Sequence, residues 1–388
     1  MKHMMMKKKN NNRGSALLVT MAIMLMLGII GTMAFQTADT EKKMSFNQAD
    51  LDQARLVAEA GLQLSLEQIQ TDFFWRTGYA DQSFGSGTFT VTLEDETVTP
   101  ALDDSIIVRA TGSVDEADAT IEAWVKRGYP PAWKYAVYAK DGIGMENFSC
   151  TDSFNSDSTL AASQLPSGGN IGTGGNITMA NNTSVGGDAS TSGGSITLVN
   201  SADVLGSTST SAPPEDMSFI PESEYTYAST HNNNATGLSG VYTYNAGTKA
   251  LSVGANKTLT LADGTYYFSS INTANQAKIV LAAGAKVTIY LTGTMMMEQN
   301  TDFNFPGKPS NLMIYSKGPT LFIKNNSRFN GGFYGPATTF TFENNADIRG
   351  ALVLKQATIK NSTCIHFDRK FLEELNFGET RIVASHEI

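Results

Sequence analysis

Four histidines (His3, His231, His366 and His386) and two cysteines (Cys150 and Cys364) are the residues of this 388-residue chain best suited to binding a metal or attacking a substrate. None of them stands at a metal-ligand spacing. The carboxylates that deserve testing are Asp152 and Asp157 in TDSFNSDS, Asp302 between Thr301 and Phe303, and Asp368 two residues after His366 in CIHFD. Glycosidic cleavage needs two acids across one cleft, and a calcium loop needs a denser run of acids. TDSFNSDS is too sparse for calcium, and Asp302 sits alone. His366 and Asp368 alternate, so on a strand they share one face and are expected to point outward, capping the end of a repeat. These residues predict no catalytic site, no cofactor and no metal.

The elements around them are more informative. Lys2, Lys7, Lys8, Lys9 and Arg13 precede any acid, which leaves 23 basic against 37 acidic residues from Asp39 onward. An acidic body argues against nucleic-acid binding. From Ala16 through Leu17 and Val19 to Phe35 run twenty uncharged residues, about 30 Å of helix and enough to cross a bilayer core. Basic residues stay on the cytoplasmic side, so everything after Phe35 is expected outside it. Apolar residues then recur every three or four positions, at Met44, Leu51, Ala54, Ala58, Leu62, Leu66, Ile69 and Phe73. This is the stripe of an amphipathic helix. No proline falls between Ser15 and Phe74, which predicts one rod over residues 15–75.

RGSALLVTMAIMLMLGIIGTMAFQTADTEKKMSFNQADLDQARLVAEAGL resembles the N-terminal region of PilX-type minor pilins of type IV pilus systems. The shared features are the basic leader, Arg-Gly, the apolar stretch, the element Glu41, Lys42, Lys43, Met44 and Asn47, and Ala-Glu-Ala-Gly-Leu from Ala58 to Leu62. The resemblance implies a leader over residues 1–14, cut by a prepilin peptidase between Gly14 and Ser15. It also implies partners among other pilins through the helix, and an inner-membrane location before assembly. The chain departs from the pattern in having Ser15 where Phe or Met is usual, and Val19 where most pilins carry Glu. That Glu pairs with a neighbour's terminal amine inside the apolar filament, so its absence suits a subunit near the tip.

Strands are expected at Gly87–Asp95, Ser105–Val114 and Ala119–Arg127 from their alternating apolar residues. They would form a small antiparallel sheet against the helix, a head over residues 76–129 bounded by Gly128-Tyr129-Pro130-Pro131. Residues 132–388 repeat. GGNITMANNTSVGG and GGSITLVNSADVLG lie 19 residues apart, as do FIKNNSRFNG and TFENNADIRG, and TIKNSTCIHF follows 17 further on. One apolar place holds Met179, Leu198, Ile323, Phe342 and Ile359; a second holds Val185, Val204, Phe329, Ile348 and Ile365. Between them stand Asn181, Asn200, Asn325, Asn344 and Asn361. This period, with Asn at the corners, predicts a β-solenoid whose coils stack about 4.8 Å apart and whose Asn side chains ladder. YAVYAKDGI, GTYYF and the run from Gly331 to Asp368 resemble the β-domain behind PilX-type N-termini. Residues 200–237, with three prolines, are expected as an irregular loop across the solenoid.

An oxidising compartment favours a disulfide. Cys150 and Cys364 nevertheless fall in the first and last coils, roughly 40 Å apart at about 4.8 Å per coil. They are expected as thiols unless the chain ends fold back on each other. The expected fold is mainly β with a long N-terminal helix, a pilin-like head and a β-solenoid. The expected function is that of a non-enzymatic minor pilin, acting in pilus assembly and displaying a surface for adhesion or a carbohydrate ligand, with Tyr242, Tyr244, Tyr266 and Tyr267 as candidate contacts. Two rivals stand beside it: a membrane-anchored β-helix enzyme acting on polysaccharide, and a cell-surface adhesin unrelated to pili.

Overall fold

The computed structural model describes residues 13–73, 75–94, 105–126, 128–157, 168–217, 220, 222–342, 344–374 and 380–388. The first twelve leader residues therefore lie outside the described residues. Helix α1, Arg13–Thr71, is one unbroken element of 59 residues, about 88 Å long.

The head packs on the distal part of that rod. Strands β1 (Tyr79–Phe84), β2 (Gly87–Glu94), β3 (Ser105–Val114) and β4 (Ala117–Lys126) form an antiparallel meander. A fifth strand, Arg381–Glu387 at the C-terminus, pairs antiparallel with β4. The sequence predicted three strands here and ran the solenoid to residue 388. The structure instead inserts the solenoid between the fourth and fifth strands of the head sheet. Thr380 holds the return: its Oγ1 accepts from Gly128 N at 3.1 Å, and its carbonyl accepts from Gln70 Nε2 at 3.1 Å.

Phe89, Val91, Ile106, Val108, Ala110, Ile121, Ala123 and Val125 alternate along their strands and meet Ala54, Val57, Ala58, Leu62 and Ile69 of the helix in a closed core. Ala54 and Ala58 are small because Gly112 lies against the helix there. A Cβ on Gly112 would come within 2.1 Å of the Ala54 carbonyl oxygen and 2.5 Å of the Ala58 nitrogen. Met44 and Leu51, the first members of the predicted stripe, lie beyond the sheet's reach and stay exposed.

The larger body is a three-sided parallel solenoid. In chain order its coils cover residues 137–154, 171–185, 189–204, 250–261, 264–281, 287–303, 312–329, 332–348 and 351–368. They do not stack in that order. The coil at 351–368 lies on the coil at 137–154, with Leu352 opposite Val137 and Ile365 opposite Thr151. The first three coils thus continue the stack where the last coil ends. One column of inward residues reads Tyr266, Ile289, Ile314, Phe333, Leu352, Val137, Ile171 and Ala189, and all eight are fully buried.

Because the third coil and the fourth lie at opposite ends, the chain must travel the whole stack between them. Residues 210–217, 220 and 222–237 mark that journey along one face. Glu215 meets Lys134, Tyr135 and Tyr138 near the first coil. Helix α2, Glu222–Thr230, then sets Glu222 on Lys317 and Tyr225 against Tyr290, while Glu224 accepts from the Tyr290 hydroxyl at 2.8 Å. The expected irregular loop contains this helix.

Candidate functional site

The proximal part of α1 has no cover. Leu17 is 70% exposed, Val19 56% and Phe35 79%, and the burial of Gly14, Ser15 and Ala16 lies outside the described set. By length and composition this helix can cross a membrane. Its hydroxyls are satisfied internally: Thr20, Thr32 and Thr37 donate to the carbonyls of Leu17, Ile29 and Met33, each at 2.9 Å. Self-satisfied polar groups are what a helix in lipid requires. Beyond Phe35 the charges begin, with Lys43 paired to Asp39 at 2.9 Å. The Gly14–Ser15 bond lies inside the first turn of the helix.

The five Asn positions come together at one corner of the solenoid. Asn344 Nδ2 donates to Asn325 Oδ1 at 3.0 Å, Asn181 Nδ2 to Asn147 Oδ1 at 2.9 Å, and Asn200 Nδ2 to Asn181 Oδ1 at 2.9 Å. Asn361 enters through Asn147, whose Nδ2 donates to Asn361 Oδ1 at 2.8 Å. Asn147 was missed because its coil lacks the matched flanking frame; the Asn in MENFSC was the available signal. The corner backbone is left-handed, with φ of 53° at Asn147, 59° at Asn181, 52° at Asn200 and 52° at Asn361, a region Asn enters at little cost. Main-chain bonds follow the same column, for example Asn326 N to Asn344 O and Asn345 N to Asn361 O.

The residues with chemistry gather on one outer face, and here several expectations are corrected. His366 and Asp368 do not cap a final coil. Their strand, Cys364–Asp368, lies between the coils at 332–348 and 137–154, and both side chains are buried. His366 Nδ1 lies 2.5 Å from Asp152 Oδ1 and its Nε2 lies 3.6 Å from Asp347 Oδ1. Asp368 accepts from the main-chain nitrogens of Ser156 and Lys370, both at 3.1 Å. Asp302 is not alone either: Arg328 holds it through two bonds of 2.7 and 2.9 Å. The Arg328 guanidinium also lies 3.8 Å over the Phe305 ring. Asp157 is held below the usual carboxylate range by hydrogen bonds from Lys308 and then Lys370. These acids cross-link successive rungs. Among the described residues no three His, Cys, Asp or Glu side chains converge to hold a metal ion.

Cys150 and Cys364 form a disulfide, with Cα atoms 4.5 Å apart. The expectation of distant thiols assumed that coils stack in sequence order. The first and last coils are neighbours instead, and the two cysteines occupy partner positions on parallel strands. The chain ends do fold back on each other. Of the four candidate tyrosines, Tyr266 is turned fully into the core, its hydroxyl donating toward Gly237 O and Ala262 O. The Tyr244 hydroxyl accepts from Asn234 at 2.9 Å, and the Tyr242 hydroxyl donates to Leu238 O at 3.4 Å.

The arrangement defines a class: a long N-terminal helix, bare at its start and packed further along on a small antiparallel sheet, carrying a β-helix-like domain. A family model described as a domain of unknown function (DUF7305) matches residues 271–374. No curated protein matches. Among solved structures, the competence-associated pilin ComZ from Thermus thermophilus is 11% identical, with a TM-score of 0.31 over 87% of this chain and 98% of its own. An ice-binding protein from the Antarctic ascomycete Antarctomyces psychrotrophicus is 14% identical, with a TM-score of 0.36 over 61% of this chain and 95% of its own. The ice-binding protein 1 domain of Shewanella frigidimarina is 13% identical, with a TM-score of 0.34 over 62% and 99%. The class rests on the helix–sheet packing of the head and the parallel register of the coils.

Proposed function

We propose that the chain is a minor pilin of a type IV pilus-like system, held in the inner membrane by α1 and then incorporated near the filament tip, with no enzymatic activity of its own. The observation that carries this reading is the two-part helix. Its span from Leu17 to Phe35 is bare, while Ala54, Val57, Ala58 and Leu62 of the same rod form the floor of the head. A rod of this kind passes from lipid into a filament of like helices without exposing new apolar surface to water. The resemblance of residues 13–62 to PilX-type N-termini supports it, and Val19 in place of a buried acid fits a tip position. The disulfide fits a domain outside the cytoplasm. Pilus assembly is the primary role, and display of the solenoid for adhesion is the second.

Mass spectrometry of the mature chain tests the reading. A terminus at Ser15, together with loss of pili on deletion of the gene, is the expected result. An intact Met1 in the surface-exposed protein overturns it, and piliated but non-adherent cells move the role from assembly to adhesion.

A further inference from the structure

The two ends of the solenoid are finished differently. At one end the coil at 250–261 is closed by a reversed hairpin. Leu238–Gly240 runs antiparallel to Thr258–Leu261, and Thr243–Asn245 runs antiparallel to Ala250–Val253. The turn between them seals the corner, Val241 N donating to Thr258 O. Reversing the chain direction stops parallel stacking there.

The other end has no such closure among the described residues. Strands Ile196–Val199, Asp203–Val204 and Thr208–Ser209 pair on one side alone, with Asn176–Ala180, Ser184–Val185 and Ala189–Thr191. Ile177 N donates to Ser195 O, Asp203 N to Thr183 O and Leu205 N to Val185 O. Alternate residues of a parallel strand bond to alternate sides, so the main-chain groups of Ile196, Leu198 and Val204 face away from the stack. Their side chains continue columns in which Ile177, Met179 and Val185 are at most 1% exposed, yet Leu198 is 40% exposed. Val199 and Leu205 beside it are exposed as well. The Asn corner has a polarity too: Asn182 N donates to Asn200 O, so the next step requires an acceptor above Ser201 N. No lysine or proline guards this rung, and Asp203 is the one charge in residues 193–209. Natural proteins usually blunt such an edge.

We propose that this end is a strand acceptor, on which an extended segment of a partner protein adds a further rung. The segment is apolar at alternate positions, to cover Ile196, Leu198 and Val204, and carries hydroxyl or amide side chains between them. A strand is favoured over a second copy of the chain for two reasons. The reversed hairpin prevents copies from stacking head to tail. A two-fold end-to-end pair would set the facing rungs antiparallel, so the step at the Asn corner, Asn182 N to Asn200 O, would not repeat across it. Strand addition instead draws its affinity from main-chain bonds and its specificity from alternate side chains. The inference does not depend on the pilin reading.

The probe follows from the repeat. Residues 193–206 reproduce residues 174–187 one step along the stack, so a labelled peptide of sequence GGSITLVNSADVLG continues the same translation. Fluorescence anisotropy with the full chain in nanodiscs is expected to show saturable binding that a scrambled peptide does not compete. Leu198→Lys places a charge in the column. Val204→Pro removes a main-chain donor that the native ladder does not use, at an edge position where proline is tolerated. Each is expected to weaken binding about tenfold or more with an unchanged melting transition. Absence of saturable binding to the wild-type chain overturns the proposal, as does equal binding by both variants. A concentration-dependent dimer abolished by Leu198→Lys also overturns it, and assigns the end to a second copy.

Discussion

The head and the solenoid both cover apolar strand faces, but by different means. In the head, one antiparallel sheet leaves one apolar side, and among the described residues α1 and Phe73 just after it cover that side. The solenoid turns three sides inward to cover one another, and each rung rests on the next. The head therefore depends on a single helix–sheet contact. The solenoid spreads the same burial over many equivalent contacts, with one exception. The join between its last coil and its first has no continuous chain across it, and there a disulfide and the His366–Asp152 pair stand in for the missing connection.

The largest effect is expected at that join. Replacing both cysteines by serine releases a crosslink spanning 214 residues of chain, and such a loss costs about 2–5 kcal/mol. Urea titration should show the solenoid transition moving down while the head transition stays. Equal shifts of both would show that the two bodies unfold as one and would erase the contrast. In the head, Gly112→Val drives a side chain into the helix backbone at Ala54 and Ala58, which cannot yield as a flexible side chain would. About 3 kcal/mol is expected, read as loss of the head transition with the solenoid transition retained.

A change at one solenoid corner should cost less. Asn181→Ala removes one link of the ladder and places alanine at a φ of 59°, for about 1–2 kcal/mol. A cost as large as that at Gly112 would mean that the rungs do not share their load. The smallest effect at neutral pH concerns Tyr266, whose phenol is pushed up to about 12 by burial. The folded state holds this proton more tightly than the unfolded one. Its contribution is therefore complete below the ordinary value of 10 and lost as pH rises toward about 12. Tyr266→Phe should flatten the fall in stability across that window, followed by thermal melts at stepped pH. Burial also raises Tyr135 to about 12 and moves Tyr225 in the same direction, so part of the slope should remain.

Much of this was legible in the residues. The proline-free run from Ser15 to Phe74, apolar all round and then one-sided, determines a rod with a bare end and a covered end, because helical periodicity is a local property. The 19-residue frame likewise puts Met179, Leu198, Ile323, Phe342 and Ile359 in one column and the Asn residues at one corner, since every rung must satisfy the same translation. Tertiary structure alone decided which rung lies on which. Any rung of this repeat offers the next much the same apolar columns and the same Asn corner, so the sequence is nearly indifferent to stacking order. For that reason the pairing of Cys150 with Cys364, the burial of His366 and Asp368, the passage of residues 381–387 into the head sheet and the open end at Leu198 left no periodic trace to read.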